Sequence, residues 1–239
     1  MTTLKVLLTF QRPWREIPEL AALCRQGVDF VQIPLTSTQS VECPGLWQAV
    51  TPICEGWLAV LSQAGAKGLH SALRGLGTER RPPVACVGQV TADAMRVLGW
   101  QPEVTGHDGA LALFHELRER GVRRVVLAKG DKPSAGVHEA RQAGMAVEEF
   151  QVYRNVLPEG ALEQVQAGMP SFGAVCLASP SAVERLSRVW KGGDRPLLLT
   201  LGGTTSASVK KRGWPLFHEC DTRQISGFAE GLSRIMSGT

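Results

Sequence analysis

The chain of 239 residues has little of the material that several classes of protein require. Its apolar runs, such as 57–61 and 197–199, are far shorter than the roughly 20 residues of a membrane-spanning helix. Its six cysteines are scattered without a Cys-x-x-Cys pair, which is typical of buried free thiols in a reducing compartment. These absences argue against a helical membrane protein and against a secreted domain held by disulfides.

An excess of charge of one sign is also missing. The 26 basic and 22 acidic residues give a formal net charge of +4, which is too mild and too dispersed to predict a nucleic-acid partner. The run His218-Glu219-Cys220 offers two metal ligands on alternate positions of a short strand, and no other histidine or cysteine cluster completes a site. We therefore expect no metal.

Common catalytic and nucleotide-binding signatures do not occur. The chain contains no G-x-x-x-x-G-K-[ST] phosphate loop, no G-x-G-x-x-G turn and no G-x-S-x-G nucleophile elbow. The N-terminus, MTTLKVLLTFQRP, has one lysine and lacks a small-residue cleavage site, so it predicts a first strand and not a signal peptide. The expected location is the cytoplasm.

The chain does contain a long internal repeat. VGQVTADAMRVLGW at 87–100 aligns with LGGTTSASVKKRGW at 201–214. Four further pairs of segments occur in the same order along the chain. The two members of a pair lie about 117 residues apart, as with the segments that begin at 27 and 144 and those that begin at 57 and 174. They are KVLLTF with RVVLAK, GVDFVQIPL with GMAVEEFQVY, WLAVLSQAGAKGL with AVCLASPSAVERL, and DGALALFHELRER with ISGFAEGLSRIM. The order of five pairs predicts two copies of one large supersecondary assembly.

Each copy alternates short apolar runs with amphipathic helices. The β-branched runs predict strands buried on both faces, as in a parallel sheet; they are 5–9, 28–33, 58–61 and 84–87. Ile17, Leu20 and Leu23 recur at helical spacing, and Gly27 supplies a stop. The alternation predicts a doubly wound α/β fold with two similar lobes and a ligand cleft between them.

Threonines follow two of the predicted strands, at the sheet edge where ligands of α/β proteins bind. Thr91 is predicted to cap the helix after 84–87, and Thr204 or Thr205 the helix after 197–201. Such residues cap helices with or without a ligand, and several of them facing one cleft would also form an anion-binding wall.

Serines occupy the corresponding turns elsewhere. In ASPSAVERL, Ser181 followed by Glu184 forms a capping box, and Ser179 before Pro180 is an alternative cap. Ser62 occupies the equivalent turn in the first copy.

Tyr153 is the only tyrosine of the chain and closes the strand-like run VEEFQVY. A phenol at the carboxyl end of a strand can point into the cleft as a proton donor. It can equally be an amphipathic aromatic at a sheet edge. The pattern leaves both interpretations open.

The order of these segments resembles the uroporphyrinogen-III synthase family over essentially the full length. The resemblance is carried by VACVGQVTADAMRVLGWQPEV, GMAVEEFQVYRNVLPEG, AVCLASPSAVERL and LGGTTSASVKKRGW. It implies two flavodoxin-like parallel-sheet lobes joined by a two-stranded linker, one of residues 1–35 with 155–239 and one of residues 36–152. It also implies a cyclising lyase that converts hydroxymethylbilane to uroporphyrinogen III, inverting ring D and releasing water, without metal or organic cofactor.

The resemblance also implies roles for individual residues. Tyr153 would be the acid at the leaving hydroxyl. The substrate contacts would be Thr204, Thr205, Ser179 and Ser181, with Thr91 and Ser62 as their counterparts, Arg12 after the first strand and Lys129 as a carboxylate partner. A monomer is expected, with a possible hand-off of substrate from porphobilinogen deaminase and with neither nucleic-acid nor membrane partners.

One departure from the family pattern motivates an alternative. LSQAGA stands where the family has Thr-Ser-x-Asn, so a two-lobed binding or sensor protein on the same scaffold is the second hypothesis. A flavodoxin-like electron carrier is the third, but it requires a phosphate loop after the first strand that the chain does not offer.

Overall fold

A computed structural model describes residues 3–50, 56–75, 81–222 and 224–238. The chain divides into two compact units, unit one of Met1–Ser37 with Val156–Thr239 and unit two of Thr38–Asn155. That the lobes are separate domains with boundaries at 35, 36, 152 and 155 stays a prediction.

Strands and helices alternate along most of the described chain. The strands are β1 (Lys5–Leu8), β2 (Asp29–Gln32), β3 (Ser37–Ser40), β4 (Gly56–Val60), β5 (Val84–Cys86), β6 (Pro102–Thr105), β7 (Arg124–Lys129), β8 (Ala146–Gln151), β9 (Tyr153–Val156), β10 (Ala174–Leu177), β11 (Leu197–Leu201) and β12 (Leu216–Cys220). The α-helices are α1 (Pro18–Arg25), α2 (Pro44–Val50), α3 (Gln63–Ala72), α4 (Gln89–Val97), α5 (Gly109–Glu119), α6 (Val137–Gln142), α7 (Ala161–Gly168), α8 (Pro180–Leu186), α9 (Gly203–Lys210) and α10 (Phe228–Ser237).

The strands form two five-stranded parallel sheets of the same topology. The order is β12-β11-β10-β1-β2 in unit one and β6-β5-β4-β7-β8 in unit two, and β3 pairs with β9 in a separate two-stranded sheet. In the repeat, β4–β6 correspond to β10–β12 and β7–β8 to β1–β2, so each sheet takes strands from both copies. The predicted α/β class with two flavodoxin-like parallel sheets is confirmed.

Both faces of the sheet in unit one are covered by helices. Val6 and Leu8 pack on one face with Phe228 and Leu232 of α10. Leu7, between them, packs on the other face in a core that includes Val183 of α8. Because successive side chains of a strand point to opposite faces, a strand buried on both faces carries an unbroken apolar run. The prediction of doubly buried strands is correct for β1.

The helix starts correct the predicted threonine caps. Gly88 precedes α4 and Gly202 precedes α9, and neither helix has a side-chain cap. Thr91 and Thr205 lie inside these helices and are buried. Gly202 has φ of 78°, a conformation that favours glycine, so the chain turns into α9 before Thr204 and Thr205 are reached.

At α8 the serine cap is Ser179 and not Ser181. The Ser179 Oγ atom accepts a hydrogen bond from the backbone N–H of Ala182 at 3.2 Å. Pro180 takes the first helical position, where its missing N–H is not needed and its fixed φ suits the helix. The predicted capping box of Ser181 and Glu184 is therefore wrong, and the alternative prediction, Ser179 as the cap, is correct.

Buried thiols predict a loss of stability in alkali. Burial raises the pKa of Cys86 and Cys220 to about 11 and that of Cys176 well above its usual value. Cys24 and Cys43 are half-buried free thiols, and Cys54 lies outside the described residues. Because the unfolded thiols ionise first, near pH 9, stability is retained below pH 9 and falls as pH rises to about 11.

The expected result is a steeper alkaline decline for the native chain than for Cys86→Ala. Without the Cys86 thiol, the folded and unfolded states differ by about one bound proton less between pH 9 and 11. The free energy of unfolding of the variant should therefore fall less steeply with pH in this range. Urea unfolding at several pH values measures both slopes, and the neutral-pH values correct for the smaller side chain. Equal slopes would contradict the assignment to Cys86.

Candidate active site

Each parallel sheet has one point at which its strand order reverses. In unit two the reversal falls between β4 and β7, and in unit one between β1 and β10. Chain connections leave in opposite directions from such a pair, which opens a crevice beyond the carboxyl ends of the two strands. The fold therefore directs attention to the residues that follow β4, β7, β1 and β10.

Unit two has a cavity of about 360 Å³ at this place. It is lined by Leu61 and Ser62 after β4, by residues 128–135 at the end of β7, and by Tyr153 and Asn155 of β9. Ser62, Lys129 and Tyr153, which lie far apart in the sequence, are thus brought to one cavity.

Other pockets of unit two lie away from the carboxyl ends of the parallel strands. A groove of about 410 Å³ includes Ser71 and Ala72 at the opposite end of α3 from Ser62. A pocket of about 40 Å³ lies between α5 and α6 and contains none of the predicted site residues. The switch-point cavity is therefore the better candidate, since position and chemistry agree there.

Ser62 has a defined structural role at this cavity. It is the N-cap of α3, and its Oγ atom accepts a hydrogen bond from the backbone N–H of Gly65 at 3.0 Å. The same Oγ atom lies 3.3 Å from the phenol oxygen of Tyr153. One side chain thus connects the start of a helix with the only tyrosine.

Tyr153 opens β9, which corrects its predicted place at the end of the preceding strand. That strand, β8, ends at Gln151, and the buried Val152 separates the two. The Val152 N–H donates to the carbonyl oxygen of Lys129, and its carbonyl accepts from the N–H of Val41. The chain therefore leaves the large sheet at Val152 and pairs with β3 from Tyr153 onward.

Lys129 is the last residue of β7, and a carboxylate already neutralises it. Its Nζ atom lies 3.0 Å from Glu149, which also pairs with Arg141 at 3.1 Å. The Lys129 side chain is only 19% exposed. A substrate carboxylate at Lys129 would have to share it with Glu149.

Asp131 and Asn155 form a second polar pair that sequence analysis missed. Asp131 Oδ1 accepts hydrogen bonds from the backbone and side-chain nitrogens of Asn155 at 3.3 and 3.2 Å. Desolvation is the largest single influence and would raise the pKa of Asp131. The hydrogen bonds from Asn155 and from its own backbone, with the charge of Lys132, outweigh it and lower that pKa. Asn155 could have been recognised as a site residue from the sequence. It lies two positions after Tyr153 in the same strand, and residues two apart in a strand lie on the same face.

Thr91 is not among the residues that line this cavity. It is 5% exposed within α4 and belongs to the packed part of the unit. Its predicted role as the counterpart of Thr205 in this unit therefore rests on the sequence repeat and the family resemblance.

The predicted site residues of unit one follow β1, β10 and β11. Arg12 is exposed after β1 and donates to the Glu16 carbonyl at 3.3 Å. Thr204 is exposed in the first turn of α9, whereas Thr205 is buried with its hydroxyl 3.3 Å from the Leu201 carbonyl. Ser179 and half-buried Ser181 lie at the start of α8. The strands β1 and β10, which Arg12 and Ser179 follow, are the switch-point pair of unit one.

The described residues hold no group of three or more His, Cys, Asp or Glu side chains placed to bind a metal ion. Within the same ranges, none of the helices combines the length and apolar character needed to cross a membrane.

The fold and the site define a doubly wound α/β protein with a flavodoxin-type sheet in each unit and a polar cavity at a switch point. The sequence model described as uroporphyrinogen-III synthase HemD matches residues 19–230. The chain belongs to the uroporphyrinogen-III synthase family.

Solved structures agree with this membership at the level of the fold. A uroporphyrinogen-III synthetase from Helicobacter pylori is 13% identical with a TM-score of 0.69, covering 99% of this chain and 100% of its own. A mutant uroporphyrinogen III synthase from Thermus thermophilus is 18% identical with a TM-score of 0.64, also covering 99% and 100%. A search of curated protein sequences gives no significant match.

Proposed function

We propose that this chain is the lyase that cyclises hydroxymethylbilane to uroporphyrinogen III, with inversion of ring D and release of water, in tetrapyrrole biosynthesis. Family membership over residues 19–230 is the observation that carries the proposal. The switch-point cavity with its single tyrosine supports it, because the reaction needs an acid and a shaped site.

Tyr153 is the acid in this mechanism. Its phenol gives a proton to the terminal hydroxyl of the substrate, the carbon–oxygen bond breaks, and water leaves. The pyrrole π electrons form the exocyclic double bond, and the ring N–H proton passes to the Tyr153 phenolate, which gives a neutral azafulvene and restores the phenol. Ring closure then passes through a spiro intermediate, in which that pyrrole nitrogen takes a proton back from the phenol. The final deprotonation, which restores the attacking pyrrole, returns a proton to the phenolate, so that water is the only by-product.

Substrate carboxylates bind at the polar edges of the units. At unit two, the N-terminal end of α3 with its positive dipole lies beside Ser62, and Lys132 adds a positive charge to the cavity. At unit one the contacts are those implied by the family, namely Arg12, Ser179, Ser181, Thr204 and Thr205. The same proposal includes Thr91 and Lys129 as contacts. A substrate carboxylate at Lys129 would share that side chain with Glu149.

A coupled assay tests the activity directly. Hydroxymethylbilane is generated by porphobilinogen deaminase with and without this protein, and the oxidised porphyrin isomers are separated. We expect predominantly isomer III with the protein and isomer I, the product of spontaneous closure, without it. Isomer I alone in both reactions would contradict the proposal and leave the binding-protein hypothesis.

A monomeric state, a cytoplasmic location and a hand-off of substrate from porphobilinogen deaminase complete the proposal. They rest on the family resemblance, and sedimentation with and without the deaminase tests the first and the third.

A further inference from the structure

The ring of Tyr153 lies directly against Gly130. A Cβ atom at position 130 would come within 2.6 Å of Tyr153 Cζ and 2.9 Å of its phenol oxygen. Real Cβ atoms do not approach so closely, so a side chain at position 130 would displace the Tyr153 ring from this place. The backbone at the end of β7 thus limits where the phenol oxygen can lie.

Ser62 contacts the phenol oxygen of Tyr153 through a hydroxyl that already accepts one hydrogen bond. A serine hydroxyl has one proton to donate and two lone pairs to accept with. The Gly65 N–H occupies one lone pair, which holds the Oγ atom in place at the start of α3. The hydroxyl proton and one lone pair remain for Tyr153, 3.3 Å away.

Helix α3 also packs closely against the backbone of Val152, the residue before Tyr153. A Cβ atom at Gly68 would lie 2.5 Å from the carbonyl oxygen of Val152, and one at Gly65 would lie 3.2 Å from that of Ala128. The helix that carries Ser62 therefore rests on the backbone of the residue before Tyr153. Backbone packing therefore fixes the start of α3 relative to the chain that leads into Tyr153.

We propose that Ser62 is a positioning residue for Tyr153, donating its hydroxyl proton to the phenol oxygen so that the phenol proton is directed into the cavity. This inference rests on the proposed function, because only an acid needs its proton aimed at a substrate. When Tyr153 gives up that proton, the Ser62 hydroxyl keeps its own and continues to donate to the phenolate, which strengthens the hydrogen bond. Ser62 thereby changes from a predicted substrate contact to a residue that acts through Tyr153.

Three variants separate this role from helix capping. Ser62→Ala loses both the cap and the donor, and Ser62→Gly loses the donor while glycine retains most of the capping stability. Ser62→Thr keeps both. We expect Ser62→Gly to retain a melting temperature near that of the native chain, yet to lower kcat about 10- to 100-fold with little change in KM. Ser62→Thr should restore kcat.

A spectroscopic measurement checks the contact without any turnover. Because Tyr153 is the only tyrosine, tyrosine labelled with carbon-13 at Cζ gives one signal from the full chain. That signal should move by more than its linewidth in Ser62→Gly and Ser62→Ala and hold its position in Ser62→Thr.

The two measurements keep the inference distinct from the proposed function. A signal that moves in a protein making no isomer III would end the proposed function while the contact stands. An unmoved signal, or a native kcat in Ser62→Gly, would overturn the positioning role. A raised KM at unchanged kcat would also overturn it and return Ser62 to the substrate contacts.

Discussion

Replacement of Tyr153 by phenylalanine should slow the formation of uroporphyrinogen III by about 10²- to 10⁴-fold, the usual contribution of a positioned proton donor. The substitution keeps the ring that packs on Gly130 and removes only the oxygen that faces Ser62. Since that oxygen makes one long hydrogen bond on a half-buried side chain, stability should change by about 1 kcal/mol or less.

The spontaneous closure of the substrate is a reference reaction against which the enzyme rate can be measured. Hydroxymethylbilane closes spontaneously to isomer I, so a slowed enzyme is recognised by the rise of isomer I at the expense of isomer III. Tyr153→Leu, which removes the ring as well, is the matched comparison. Equal rates for the two variants would assign the effect to the hydroxyl, and a native rate for Tyr153→Phe would remove Tyr153 from the mechanism.

Replacement of Gly68 by alanine should destabilise unit two by about 1 to 3 kcal/mol, the usual cost of overpacking a tight contact. The new Cβ atom would lie 2.5 Å from the Val152 carbonyl oxygen and 2.9 Å from the carbonyl carbon. That peptide cannot move freely, because its carbonyl accepts from the Val41 N–H at 3.0 Å. At an open helix position the same change would stabilise by up to about 1 kcal/mol, so the sign of the effect is diagnostic.

Gly45→Ala is the matched control for this prediction. Gly45 lies in α2 of the same unit, and a Cβ atom there would meet Phe150 at 3.5 Å, an ordinary contact distance. Urea unfolding should show Gly45→Ala to be neutral or slightly stabilised and Gly68→Ala to be destabilised with reduced activity. A Gly68→Ala chain as stable as the control would contradict the close packing of α3 on Val152.

Local signals account for the parts of the site that could be predicted. The serine after β4 and the single tyrosine are visible as isolated residue types at strand ends. The position of Tyr153 at the start of β9 was not predictable from VEEFQVY, because the apolar alternation continues through Val152, where the chain changes sheets. The predicted caps Thr91 and Thr205 were misplaced because a glycine, which has no side chain to form a cap, occupies the position before each helix.

The sequence by itself determined the type of fold, because the repeat and the unbroken apolar runs such as Val6–Leu8 require two alike parallel sheets covered on both faces. It did not determine which copies pair. β4 and β10 carry the same pattern, and either could lie beside β1 by periodicity alone. Tertiary structure decided that Val6 pairs with Ala174, 168 positions away, and Trp57 with Val125. Pairing between distant strands depends on the whole packed core, and the same packing brings Ser62, Gly130 and Tyr153 together.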